Sequence, residues 1–168
     1  MRDSTVRPSG RRPLYSVAER ERRDATPWTL VQGVLAPLQF VVFLVSLGLV
    51  IRFMLSGQGY ELATLSVVVK TLVLYLIMIT GAIWERVVFG QYLFAPAFFW
   101  EDLMSMLVLA LHSAYLVVLI GGWWPPAAEM ALALAAYASY VINAAQFLLK
   151  LRAARLEQPA PALAGAPS

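Results

Sequence analysis

The chain contains no cysteine, which removes disulfides, thiolate metal sites and cysteine nucleophiles from consideration. It has a single histidine, His112, so zinc centres of the multi-histidine type are excluded as well. Charge is scarce, at 14% of residues with a net value of +3. The positive excess lies almost entirely at the two ends, as an orientation signal does, and gives no reason to expect a nucleic-acid partner. No apolar stretch of signal-peptide type occurs in the first ~25 residues. Arg2, Asp3, Arg7, Arg11, Arg12, Glu19, Arg20, Glu21, Arg22, Arg23 and Asp24 stand there instead, so the first apolar helix is expected to remain in the mature protein.

What the chain has in abundance is apolar residues, 60% of 168. A soluble domain of this size cannot hide so much apolar surface. The residues also fall in long uninterrupted blocks, the pattern of lipid-facing helices. The expected fold is all-α: a polytopic membrane protein with four transmembrane helices in a bundle. Thr26 and Pro27 supply a hydroxyl cap and a first-turn proline for a span over Trp28–Leu55. A turn at Ser56-Gly57-Gln58-Gly59 leads to a second span over Glu61–Trp84. From Glu85 to Pro96 the pattern loosens and aromatics gather, as an interfacial loop requires. The third span starts near Trp100 or Glu101 and ends at Gly121-Gly122, and the fourth covers Ala127–Leu151. The domain organisation reads as a basic arm over 1–25, a membrane domain over 26–152 and a disordered Pro/Ala-rich tail over 153–168.

Lysines and arginines set the expected orientation. Seven lie in the arm, one in the loop between the second and third spans (Arg86) and three after the fourth (Lys150, Arg152, Arg155). The opposite side has only Arg52, and Lys70 falls inside a span. The positive-inside rule places both termini and the loop in the cytoplasm.

Polar residues inside the spans each ask for a partner or a purpose. Glu101, Ser105, His112 and Tyr115 fall within about 80° of arc on the third span and form one stripe. Gln32, Gln39 and Ser46 share a face of the first span. Ser139, Asn143 and Gln146 share one on the fourth, continuing to Lys150. Counting from the cytoplasmic end, His112 and Gln39 lie roughly 16 Å deep and Lys70 roughly 20 Å. These groups suit a pocket with acids at its mouth and basic or amide groups further in. Simpler roles stand beside that one. The amides and hydroxyls serve as interhelical glue in many bundles, Glu101 and Asp102 suit a helix N-terminus, and Glu85 with Arg86 suits an interfacial pair. His112 and Lys70 have no comparable structural excuse at mid-membrane depth.

Several stretches resemble a known family. They are Asp24-Ala-Thr-Pro-Trp-Thr-Leu-Val-Gln-Gly-Val-Leu-Ala-Pro-Leu-Gln-Phe40, Gly81-Ala-Ile-Trp-Glu-Arg-Val-Val-Phe-Gly90 and Leu93-Phe-Ala-Pro-Ala-Phe-Phe-Trp-Glu-Asp102, with Leu109-Ala-Leu-His112 beyond. Together, across residues 14–150, they resemble the 3-vinyl (bacterio)chlorophyllide hydratases of bacteriochlorophyll biosynthesis. The resemblance implies addition of water to a 3-vinyl group to give a 3-(1-hydroxyethyl) group, in the inner membrane of a phototrophic bacterium. It implies a chlorophyllide-type substrate and no separate cofactor, since the magnesium arrives with the substrate. Other enzymes of the same pathway and a second copy of the chain are expected partners alongside the lipid bilayer.

The chemistry then asks for a proton on the terminal vinyl carbon and water on the inner one. A carboxylic acid beside an apolar ring suits the donor, because desolvation disfavours its charged form. Glu101 is the first candidate and Glu85 the second, with Asp102 as base or water-positioning group. His112 suits ligation of the substrate magnesium or orientation of water. Trp84, Phe98, Phe99 and Trp100 suit stacking on the macrocycle. Arg86 or Lys70 suits its propionate, and Gln39 and Asn143 complete the expected binding set. Two other classes remain open: a pigment-binding or assembly protein without catalysis, and a small transporter coupled through Lys70 and His112. The acid cluster favours the enzyme over the first. The absence of an obvious internal repeat weighs against the second.

Overall fold

Side chains here face the wrong way for a soluble protein. Leu30, Val34, Val41, Val45, Leu65, Leu72 and Ile79 point outward, while Gln39, Ser46, Lys70, Thr71, Glu101, His112 and Asn143 are buried. Lipid accepts the first set, and the bundle interior must satisfy the second. The computed structural model describes residues 14–156 and contains five helices over that stretch. They are α1 (Val17–Ala25), α2 (Pro27–Ser56), α3 (Tyr60–Phe89), α4 (Phe99–Gly121) and α5 (Pro126–Leu156). α2 to α5 are each long and apolar enough to cross a membrane, so the chain is a multi-pass membrane protein. The arm before residue 14 and the residues after 156 lie outside the described residues, while 153–156, expected to begin the disordered tail, form the last turn of α5.

Successive spans run antiparallel, with α2 packed along α3 and α4 along α5; contacts of α2 with α5 and α3 with α4 close the bundle. Thr26 caps α2 as expected, its hydroxyl accepting from the Trp28 N–H at 3.4 Å with Pro27 in the first turn. Polar pairs record the α2–α3 register: Gln32 Nε2 donates to Thr80 Oγ1 at 2.7 Å, and the Ser46 and Ser66 hydroxyls meet at 2.7 Å. Towards the end of the bundle that carries the short turns, Val50, Ala63, Val67, Met130 and Ala133 form a layer with 0% exposure throughout.

One expectation needs correction. The irregular stretch does not begin at Glu85, because α3 runs on through Phe89. Nothing between Glu85 and Phe89 breaks a helix, and the stop is Gly90, in the left-handed region at φ 87° with its N–H bonded to Arg86 O. A residue without Cβ takes that conformation at no steric cost. Glu85 is thereby fixed on a helix face and not on a loop.

α1 lies across the same end. Ser16 and Glu19 close a capping box at its start, and Arg22 Nε donates to Val88 O at 2.8 Å. Tyr15 is buried and stacks on Phe89 with ring centres 5.8 Å apart. That burial pushes its hydroxyl above the ordinary phenol value, against the opposing pull of Arg23.

Candidate active site

Three acidic side chains converge at the end of the bundle where the chain enters and leaves, which we call the acid end. Glu85 comes from the last turns of α3, and Glu101 and Asp102 from the first turn of α4. All three are buried. Neither acid on α4 acts as its N-cap, which is Phe98 and has no side-chain cap. They turn to other partners.

Asp102 Oδ2 accepts from the Phe94 N–H at 2.8 Å, and Glu85 Oε2 accepts from the Ala95 N–H at 3.3 Å. The loop between α3 and α4 is thus pinned by the two acids it joins. The two carboxyls thus meet the same two-residue stretch of backbone from different helices. Phe94 adopts φ 59°, a left-handed conformation that a bulky residue rarely takes. Strain of this kind persists only where the surroundings over-determine it, and here the Asp102 bond holds the strained residue's own N–H. Glu101 has a different partner: Lys150 Nζ, from α5, sits 2.5 Å from its Oε2.

An aromatic wall backs the acids. Phe98 is 2% exposed, meets the Trp84 ring edge-on at 5.8 Å and stacks with Phe147 at 5.9 Å. Lys150 Nζ lies 5.0 Å from the Phe98 ring centre. Trp84 Nε1 donates to Thr29 Oγ1, whose own hydroxyl donates to Arg23 O. The wall, α2 and the end of α1 are therefore one bonded unit.

The remaining expected residues divide into two groups. Phe99 and Trp100 face outward, and Arg86 is exposed with its guanidinium 5.7 Å from the Tyr92 ring centre. Trp100 edges an open groove of about 440 Å³ on the lipid-facing side, lined also by Leu103, Met104, Leu107 and Gln146. Met104 lies one turn from Glu101 on α4 and Gln146 one turn from Lys150 on α5, so the residues of that ion pair neighbour the groove's lining along both helices. Gln39, Lys70, His112 and Asn143 lie deep in the bundle, away from the carboxyl pair. The His112 ring donates its Nδ1–H to Val108 O, 2.8 Å away, and is 1% exposed.

Reasoning from sequence had placed Lys150 on the α5 face but had given it no role. The signal was available, since Ser139, Asn143 and Gln146 lead to it at helical spacing opposite the α4 stripe. The backbone donors of Phe94 and Ala95 had no such signal. Chemically, the arrangement combines a carboxyl pair able to hold and exchange a proton, an ion pair beside it and an apolar groove open to the bilayer.

A family model described as 2-vinyl bacteriochlorophyllide hydratase matches residues 15–153. A 2-vinyl bacteriochlorophyllide hydratase of Rhodobacter capsulatus is 65% identical over 157 residues, covering 94% of this chain and 91% of the relative. Another, of Cereibacter sphaeroides, is 64% identical over 149 residues, covering 89% and 92%. No solved structure matches the chain.

Proposed function

The chain belongs to the 2-vinyl bacteriochlorophyllide hydratase family, and from that premise we propose that its acid end adds water across the vinyl substituent of a bacteriochlorophyllide, with Glu85 and Asp102 as the proton-handling pair. The activity is that of a hydro-lyase of bacteriochlorophyll biosynthesis. The vinyl group numbered 2 in the family's name is the one numbered 3 in systematic macrocycle numbering.

One observation carries the assignment of roles: the Glu85 and Asp102 carboxyls are both buried and accept from the adjacent N–H groups of Ala95 and Phe94. Two ionised carboxylates set so close in a buried site repel each other, so the pair carries one proton between them. That proton goes to the terminal vinyl carbon. The oxygen of a water molecule bonds to the inner carbon, and the water gives its spare proton back to the pair. The sum is one water added and the pair restored. Glu101 does not fill this role, because its carboxyl is engaged by Lys150. It positions Lys150, which with Gln146 suits the polar edge or propionate of a macrocycle lying in the groove against Trp100. His112, sealed in the bundle, is not used as a ligand to the substrate magnesium. That ion belongs to the substrate, and the reaction asks for no other cofactor.

Eleven of the 13 lysines and arginines fall on the side of the acid end, which supports a cytoplasmic location for that end and both termini in a bacterial inner membrane. The test uses membranes from a bacterial host expressing the full chain, incubated with the vinyl chlorophyllide and followed by chromatography and mass. The expected product is heavier by one water. It is lost in Glu85→Gln and Asp102→Asn membranes and retained, at reduced rate, in Glu101→Gln. Pigment bound by folded protein without any adduct would replace the enzyme with a pigment-binding protein.

A further inference from the structure

Buried polar atoms in a membrane bundle need partners, because neither lipid nor an apolar core supplies them. Thr64 Oγ1 and the Tyr115 hydroxyl, towards the short-turn end, have none, and neither do four at the centre of this bundle: Gln39 Oε1, Lys70 Nζ, His112 Nε2 and Asn143 Oδ1. Their side chains are 2%, 0%, 1% and 9% exposed, and they come from α2, α3, α4 and α5 in turn. The register sets them in adjacent layers. Phe43 and Tyr140 meet with ring centres 4.9 Å apart, and Lys70 Nζ lies 4.0 Å from the Tyr140 ring centre. One turn nearer the acid end on the antiparallel α2 and α5 come Gln39 and Asn143, where Asn143 Nδ2 donates to Ser105 Oγ at 2.8 Å. One turn the other way, the Ser46 hydroxyl meets those of Ser66 at 2.7 Å and Tyr137 at 2.5 Å. The His112 ring centre is 5.8 Å from that of Tyr137.

The unpartnered atoms narrow the chemistry of what they bind. Two amide oxygens require donors, an amine offers hydrogens, and an imidazole nitrogen takes either part. An anion would answer Lys70 and be repelled by both amide oxygens. Water donates and accepts, and ordered water fills polar interiors of this kind. We infer that the bundle interior holds a file of ordered water molecules bounded by Gln39, Lys70, His112 and Asn143.

The two ends of the file differ. Away from the acid end it meets Val50, Ala63, Val67, Met130 and Ala133, all 0% exposed, interleaved with the unpartnered Thr64 and Tyr115 hydroxyls, and beyond them the Tyr60 hydroxyl donates to Glu129. Towards the acid end it reaches the Asn143–Ser105 bond, and Ser105 is one turn along α4 from Glu101 and Asp102. The file thins among apolar side chains at one end and approaches the carboxyls at the other. Resting on the hydratase reading, this makes it the source of the water that attacks the vinyl carbon, supplied from inside while the macrocycle covers the outer face.

Radiolytic labelling of the full chain in membranes, in oxygen-18 water, tests the file directly. Hydroxyl radicals then arise where internal water sits. His112, Tyr137 and Tyr140 are expected to label several-fold faster than Met130, although a thioether is the readier target, because Met130 is fully buried in the apolar cluster. Labelling at Met130 as fast as at those three overturns the file. The supply role is read from Asn143→Leu, which narrows the outlet: kcat is expected to fall about tenfold with KM unchanged. Unchanged kcat in folded Asn143→Leu protein overturns that role. If the wild-type chain forms no adduct at all, the hydratase reading fails, and the labelling contrast still decides the file.

Discussion

The acid end and the middle of the bundle both bury polar groups, and they satisfy them in opposite ways. At the acid end each carboxyl has a partner of fixed geometry: a backbone N–H for Glu85 and for Asp102, and an ammonium for Glu101. In the middle, Lys70, His112, Gln39 and Asn143 each keep an atom that no side chain or backbone group answers. The first arrangement holds reacting groups still. The second leaves room for something small and exchangeable. A hydratase needs both, since one of its substrates is a large flat ring and the other is water.

The largest effect that tests this contrast is on rate. General acid–base groups contribute about 10²–10⁴-fold, so Glu85→Gln and Asp102→Asn are each expected to lower turnover by at least about 10²-fold. The amide at either position still offers an oxygen to Ala95 or Phe94, so the loop stays in place. Adduct formation per folded protein measures this. A Glu101→Gln loss as large as that of Glu85→Gln would move the proton donor back to Glu101.

Stability separates the regions next. Lys150→Met removes the partner of a buried carboxylate, and breaking such a pair costs about 3–5 kcal/mol when it is fully buried. The Lys150 side chain keeps 25% of its surface, so water screening reduces the expected cost to about 2 kcal/mol. Lys70→Met removes an amine with no hydrogen-bond partner in the protein, only the face of the Tyr140 ring 4.0 Å away, and is expected to stay within about 1 kcal/mol of the wild type. Denaturation in mixed micelles compares the two. Equal losses would mean that the Lys70 amine has a hydrogen-bond partner in the protein after all, and the contrast would collapse.

How far each region was legible follows from the same difference. Long apolar runs, the Thr26–Pro27 start and the glycine turns marked four spans, and helical spacing put Glu101, Ser105, His112 and Tyr115 on one buried face. The Asn143–Ser105 bond follows from two such stripes on antiparallel neighbours. The acid end was harder, because its order rests on contacts between distant residues. Glu85 reads as loop until Gly90 is recognised as the first residue that must leave the helix. The bonds from Phe94 and Ala95 depend on backbone groups that carry no sequence signature. Local pattern also could not show that α1 docks through Arg22 on Val88 O, 66 residues away.

A smaller effect probes the joint that aims Glu85. A Cβ added at Gly90 meets nothing within 4 Å, so Gly90→Ala tests the backbone alone. At φ 87° the expected cost is about 1–2 kcal/mol. The loop's bonds to Glu85 and Asp102 are expected to loosen with it, seen as faster amide exchange at Phe94 and Ala95 than at Ser105. Undisturbed exchange there would show that the two carboxyls hold the loop without help from the α3 terminus.

The smallest effect concerns a carboxyl outside both regions. Glu19 accepts the Ser16 N–H at 2.7 Å in the α1 capping box, and that bond, followed by the Ser16 hydroxyl, holds its carboxyl below the ordinary glutamate value. A depressed value in the folded state means the contribution is fully present above the ordinary range, near 4.5, and is lost as the pH falls through the depressed value. Glu19 is half-exposed, so solvent limits the contribution to a few tenths of a kcal/mol. Amide exchange across Val17–Ala25, corrected for its intrinsic pH dependence, should accelerate roughly twofold on acidification, and Glu19→Gln should abolish the change. Because α1 carries Arg22 to Val88 O and Tyr15 to Phe89, loosening its cap frays the outer cover of the aromatic wall and leaves the Glu85–Asp102 pair, held by its own loop, where it was. Adduct formation that fell in step with α1 exchange would mean instead that the arm helix helps to hold the pair.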